Sequence, residues 1–279
     1  MNNAPQARHL VVAIFAAFVS LTSASGQNAP SLKVMISGGF RAVYEDLVPE
    51  FERKTGHTIM TAYGGSMGNA PNAIPNRLQR GEPVDVVILA SSGLEELVKQ
   101  HKVIPGSRVD LARSIIAMAV RAGAQKPDIS TLEGLKRTLL AAKSIAYSDS
   151  TSGVYLSTEL FQRLGIADAI RSKCMRIDVG MVGPVIARGD AEIGFQQLSE
   201  LLPIAGIDIV GPIPSKAQKM TVYSGGVAVH SKQPAVAKQF LRFLASPEAD
   251  ATIKKSGMER VSEQLTTSGN SRSETPAHE

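Results

Sequence analysis

Cysteine is all but missing. Cys174 is the only one in 279 residues. No intrachain disulfide can form, so the fold must rest on its own core. Lys173 and Arg176 stand near Cys174 in sequence but no histidine does, and the thiol reads as inert rather than nucleophilic. Runs of like charge are missing too. The 30 Lys and Arg and the 25 Asp and Glu are scattered. No basic stretch is interleaved with aromatics, which argues against nucleic acid as a partner. The five histidines, His9, His57, His101, His230 and His278, show neither HxxH nor HExxH spacing. No metal site is expected. No Walker sequence or internal repeat is present, and no cofactor is expected.

Apolar runs long enough to span a membrane, about 20 residues, are also absent. One shorter run stands out: LVVAIFAAFVSL, Leu10 to Leu21, behind Arg8 and ahead of the small residues Thr22 to Gly26. This is the anatomy of a signal peptide. Cleavage is expected near Gly26, removing 1–26 and placing the protein in the periplasm. Loss of Arg8 lowers the formal net charge from +5 to +4, a mildly basic balance that favours small anions over cations. At the other end, 263–279 is expected to be a disordered tail, since Thr266 to Glu279 is polar throughout.

Between these ends lies a globular composition, 43% hydrophobic and 20% charged. Strand and helix patterns alternate. Leu32–Ser37 reads as a buried strand, and Phe40, Val43, Tyr44, Leu47 and Phe51 then fall at helical spacing up to Gly56, with Pro49 expected to kink or break that helix. Thr58–Tyr63 and Val84–Ala90 are further strands, the latter with Asp85 as its only charge. Ser92 and Glu95 have capping-box spacing for a helix over Gly93–His101, and Ser130 and Glu133 cap the next one. Arg113–Arg121 and Ser144–Tyr147 are strands. Tyr155–Leu164 is a helix closed by Gly165. Met175–Val179, Glu192–Phe195 and Val222–Val229 are later strands. Such alternation predicts an α/β fold with parallel sheets covered on both faces, and ligands at the carboxyl ends of strands.

Four loops share one character: each follows a strand, precedes a helix, and is rich in Ser, Gly or Thr. They are Ser37-Gly38-Gly39, Gly64 to Asn69, Ser148 to Gly153, and Val179-Gly180-Met181. A helix start leaves backbone N–H groups unpaired, and glycine lets an anion approach them. One such loop alone is usually a cap; four on successive units suggest a shared anion site. The candidate ligand residues are Ser37, Gly38, Gly39, Arg41, Gly65, Ser66, Ser150, Thr151, Ser152, Gly153, Val179 and Gln197. Arg41 is placed against the helix dipole, so a carboxylate clamp and an ordinary solvated arginine are both open readings. Tyr63, Tyr147 and Tyr155 flank the loops, as cleft wall or as packing. Asp149 is a helix cap, a ligand contact or a base.

These segments, in order, resemble the periplasmic molybdate-binding proteins of ABC importers, within the type II periplasmic solute-binding proteins. The carriers of the resemblance are FERKTGHTI, LQRGEPVDVVILASSGLEELV, SIIAMAV, SDSTSGVY, IARGDAEIGF and GGVAVH…PAVAKQFLRFLASPEA. It implies two α/β lobes, 31–112 plus 225–262 and 113–224, joined by two crossing strands, closing by a hinge over a ligand. A monomer working with an importer's membrane component is implied as well. The site departs from the family's usual pattern. Gly39 stands where a serine is usual and Gln197 where a tyrosine is usual. The second loop, GGSMGNAPN, carries an insertion, and Arg41 has no counterpart role. Together these favour a carboxylate, such as a tricarboxylate, over a tetrahedral oxyanion. The first reading is therefore a solute-binding protein for a small anion. The alternative is an enzyme on the same scaffold, as in the aconitate isomerase of certain bacteria, with Asp149, Tyr63 or Tyr155 as the base.

Overall fold

The computed structural model describes Met1, residues 31–178 and residues 180–261. The expected signal peptide, apart from Met1, the expected tail and the candidate Val179 lie outside the described residues. The elements run β1 Leu32–Ile36, α1 Arg41–Thr55, β2 Ile59–Tyr63, α2 Ile74–Gln79, β3 Val86–Ala90, α3 Ser91–Lys99, β4 Val109–Ser114 and β5 Ile116–Arg121. Then come α4 Leu132–Ala141, β6 Ile145–Ser148, α5 Thr151–Tyr155, a wide π-type turn Leu156–Leu160, α6 Phe161–Arg163, α7 Ala167–Ile170 and β7 Cys174–Ile177. The described residues end with α8 Val182–Arg188, β8 Ile193–Gln197, α9 Leu198–Leu201, β9 Ile207–Pro212, β10 Thr221–Val227, α10 Pro234–Leu244, α11 Asp250–Lys255 and β11 Glu259–Arg260.

Two sheets form. One has the order β11-β4-β10-β3-β1-β2, the other β7-β6-β8-β5-β9. Both are mixed, which corrects the expectation of parallel sheets. β1, β2 and β3 are parallel, but β10 inserts antiparallel between β3 and β4. β6, β7 and β8 are parallel, but β5 runs antiparallel to both β8 and β9. The reason is the crossing between sheets. The stretch Arg113–Arg121 is not one strand; it breaks at Ile115, so β4 ends in one sheet and β5 opens the other. The chain returns through 213–220 into β10, where Thr221 pairs with Ser114.

Each sheet has its own core. In the first, β1 contributes Leu32, Val34 and Ile36 against Phe40, Tyr44 and Phe51 and against Phe240, Leu241 and Leu244 of α10. Phe51 and Phe240 meet edge to face with centroids 4.9 Å apart, a preferred aromatic geometry. In the second, Met118, Ile145 and Phe195 pack on Leu135, Leu139, Leu156, Leu160 and Phe161. Helix α1 runs through Pro49 without a break. Pro49 is exposed, so the Glu45 carbonyl it leaves unbonded can be hydrated. Helix α3 starts at Ser91 with Ala90 as its N-cap and no side-chain cap, so Ser92 and Glu95 form no capping box. In α4 the cap is Thr131, whose Oγ1 accepts the Gly134 N–H at 3.0 Å, one residue after the expected Ser130.

Candidate functional site

The carboxyl ends of β1, β2, β6, β7 and β8 converge on an interlobe cavity of about 150 Å³. Gly38, Arg41, Tyr63, Gly64, Gly65 and Met67 line it from the first lobe; Ser148, Asp149, Ser150, Gly180, Gln196 and Glu200 line it from the second. Among the sequence candidates, Gly38, Arg41, Gly65, Ser150, Asp149 and Tyr63 therefore share one cavity.

The others fall just outside it, each for a visible reason. Gly39 is covered by Tyr223: a Cβ there would lie 2.0 Å from the tyrosine hydroxyl, while the Gly39 carbonyl accepts Ser199 Oγ at 2.7 Å across the lobes. Ser66 Oγ accepts the Ala90 N–H at 3.0 Å, tying β3 to the second loop. Gly153 lets α5 press on the end of β6, where a Cβ would meet the Ser148 carbonyl at 1.7 Å. Ser152 is buried beside it. Tyr155 donates to the Ala217 carbonyl at 2.6 Å and accepts from Arg163 at 3.1 Å. Its hydroxyl proton is committed, so it is no candidate base. It faces a second cavity of about 220 Å³ with Thr151, Ser152 and Lys219.

Four buried polar atoms near the strand ends have no hydrogen-bond partner: Ser37 Oγ, Ser148 Oγ, Thr151 Oγ1 and Gln197 Oε1. They come from the ends of β1, β6 and β8 and the start of α5, so both lobes supply them. Unpaired buried polar groups are costly, and a cluster of them beside a cleft is what a polar ligand would satisfy.

Arg41 is placed for more than helix stability. Its Nε donates to Glu45 Oε1 at 2.8 Å, and its guanidinium lies 4.2 Å from the centroid of the Tyr63 ring. Tyr63 donates to the same Glu45 oxygen at 2.7 Å. The guanidinium is thus clamped by one nitrogen and by its face. Its two terminal nitrogens have no partner among the described residues, which leaves them available to a carboxylate at the cavity wall.

The residue that sequence reasoning missed is Glu200, in the first turn of α9. Its Oε1 stands 2.2 Å from where a Cβ on Gly38 would be. Only a glycine at 38 admits that carboxyl to the cavity floor. Burial pushes the Glu200 carboxyl up to about 7, against hydrogen bonds from the Gln196 side chain and the Gln197 backbone that pull it down. The Gln196 amide is itself fixed, its Oε1 accepting the Val182 N–H at 2.9 Å. Gln197 is the N-cap of α9 and Glu200 stands three residues on, so the carboxyl reaches back to the cap N–H as in half a capping box. That spacing, QLSE, was the signal available in the sequence. Tyr223 lies behind Gly39, and burial together with the Glu200 charge pushes its hydroxyl well above the ordinary tyrosine value, so it stays a neutral wall.

At the rim, Arg176 pairs with Asp178 at 2.6 Å and stands 3.9 Å from Asp149. No group of His, Cys, Asp and Glu suited to a metal occurs among the described residues, and no helix among them is long and apolar enough to cross a membrane.

With this geometry in place, comparison with known proteins becomes informative. An aconitate isomerase from a Pseudomonas species is 48% identical over 240 residues, covering 86% of this chain and 92% of its own. The molybdate-binding protein ModA of Azotobacter vinelandii is 25% identical over 258 residues, covering 89% of this chain and 96% of its own. The solved structure of the Azotobacter vinelandii periplasmic molybdate-binding protein superposes with a TM-score of 0.68 at 25% identity, over 84% of this chain and all of that one. The profile described as bacterial extracellular solute-binding protein matches residues 32–259. The two mixed α/β lobes match that solved structure, and the chain belongs to the bacterial extracellular solute-binding protein family.

Proposed function

We propose that this protein is an isomerase built on a periplasmic solute-binding scaffold: it captures an unsaturated tricarboxylate, aconitate, in the interlobe cleft and moves its double bond. The observation that carries this reading is Glu200. A receptor for an anion gains nothing from a carboxyl on the floor of its cleft, where ionised it repels the ligand. An isomerase needs one. A carboxyl held near pH 7 is matched to taking and returning a proton at neutral pH. The Pseudomonas relative, at 48% identity against 25% for the molybdate binder, supports the same choice.

The chemistry needs no cofactor. Glu200, ionised, takes a proton from the methylene next to a carboxylate of trans-aconitate. The electron pair spreads over the allylic system and the carboxylate oxygens. A proton is then delivered to the former vinylic carbon, the double bond shifts by one position, and cis-aconitate forms with no net gain or loss of atoms or charge. Arg41, clamped by Glu45 and Tyr63, holds one substrate carboxylate. The unpaired Ser148 hydroxyl, which lines the cavity, supplies a donor to another carboxylate, where charge develops. Activity carried by ionised Glu200 rises with pH through about 7 and then levels off.

A plain capture role, handing a small anion to an importer, is the second reading. The four unpaired polar atoms between the lobes favour it as much as they favour catalysis. Incubation with trans-aconitate decides: accumulation of the cis isomer supports the isomerase. No turnover, together with thermal stabilisation by molybdate or tungstate, contradicts it. Export to the periplasm by the segment 1–26 is part of either reading.

A further inference from the structure

Besides the contact between Ser199 and Gly39, the lobes touch at the loop between β2 and α2. The stretch Gly64 to Asn72, between β2 and α2, forms a wall of the cavity and ends on the opposite lobe. It is internally tied. Ile74 N–H donates to the Gly65 carbonyl at 2.9 Å and Ala73 N–H to the Ala70 carbonyl at 2.9 Å. Asn76 Nδ2 donates to the carbonyls of Gly68 and Ala70 at 3.2 and 2.9 Å. A loop so braced acts as a strap rather than a loose turn. Its tip meets Asp149: Asn69 N–H donates to Asp149 Oδ2 at 3.2 Å. Gly68 holds φ at +99°, and a Cβ there would stand 2.4 Å from the Asp149 carbonyl and 2.8 Å from Oδ2. Both the backbone angle and the approach require glycine.

Asp149 is built to receive the strap. Its side chain is only 8% exposed. Its own N–H donates to the Ile177 carbonyl at 2.9 Å, which fixes its backbone on β7. One carboxylate oxygen serves the strap, while the other faces Arg176 at 3.9 Å. A carboxylate spent in this way is poorly placed to accept a substrate proton.

We propose that Asp149 is a positioning residue: the acceptor on the second lobe that latches the glycine strap of the first and holds the cleft closed over its ligand. A latch of this kind raises the fraction of protein in the binding-competent state, and apparent affinity scales with that fraction. Its kinetic readout rests on the isomerase reading above; its shape readout does not.

The test uses the mature chain and three variants, Asp149→Ala, Asp149→Asn and Gly68→Ala. In the ligand-free protein, small-angle scattering should give a larger radius of gyration for Asp149→Ala and Gly68→Ala than for wild type, with a melting temperature near the wild-type value for Asp149→Ala and a lower one for Gly68→Ala, where alanine is strained at positive φ. With trans-aconitate, KM should rise about tenfold in both, with a much smaller loss of kcat, the size expected for losing one charge-assisted hydrogen bond. Asp149→Asn keeps an acceptor oxygen in place and should recover to within about threefold of wild-type KM. Two results overturn the latch. One is abolished kcat in Asp149→Asn, which would make Asp149 the base. The other is unchanged radius and KM in both Asp149→Ala and Gly68→Ala. If wild type turns over no aconitate, the isomerase reading fails and the scattering radii alone decide the latch.

Discussion

Glu200 illustrates how one side chain can set what a scaffold does. Its carboxyl titrates near 7 because the lobes bury it, not because a second acid crowds it. The stability consequence has a definite sign. A carboxyl with a raised folded-state value binds its proton more tightly folded than unfolded, so stability falls as pH rises from the ordinary glutamate range to about 7. Glu200→Gln should therefore melt higher than wild type at pH 8 and show no gain at pH 4, as read by thermal denaturation at both pH values. Gly38→Ala probes the same place from the other lobe. The added methyl meets the far end of a flexible side chain at 2.2 Å, so the chain should still fold, while the displaced carboxyl costs about 100-fold in turnover. Wild-type turnover in Gly38→Ala would remove Glu200 from the reaction. Sequence reasoning pointed to Arg41, Gly38 and Ser150, which line the cavity, because glycine, hydroxyl and an out-of-place cation are local signals. It passed over Glu200 because the local QLSE spacing marks only a helix start, while its place beside Gly38, 162 positions earlier in the chain, is a long-range contact.

At the scale of elements, RGEPVDVVILA, within one of the stretches that carry the family resemblance, holds a buried carboxylate. Asp85 is 4% exposed. Its Oδ2 accepts the Lys33 N–H at 2.9 Å, and its Oδ1 accepts Ser231 Oγ and the Lys232 N–H, both at 2.8 Å. It thus joins β3 to β1 and to the turn after β10. Asp85→Ala leaves two part-buried backbone donors and the Ser231 hydroxyl without that acceptor and should cost about 1–3 kcal/mol of stability in chemical denaturation. A loss under about 0.5 kcal/mol would show those groups are satisfied otherwise. The strands and long helices were legible from apolar periodicity. Helix starts were less so. Ser92 and Ser130 are plausible caps by residue type, yet the chain caps α3 with backbone alone and α4 with Thr131, because the position of each strand end fixes where the following helix begins.

For the whole molecule, the two lobes were legible through alternation and resemblance, while the mixed direction of both sheets was not. Direction depends on where the chain changes sheet, and that turns on the single residue Ile115 between β4 and β5. The same crossing makes the cleft a joint between lobes. The contacts across it include Ser199 to Gly39 and the strap at Asp149. In the isomerase reading, capture and chemistry are linked: a motion that encloses the substrate would also bury the acid–base group. The most direct test follows trans-aconitate by proton NMR at pH 7.5 with the mature protein and with Glu200→Gln. The account predicts steady formation of cis-aconitate by wild type and a rate at least about 100-fold lower for the variant. No cis-aconitate from wild type, or equal rates from both proteins, would contradict it.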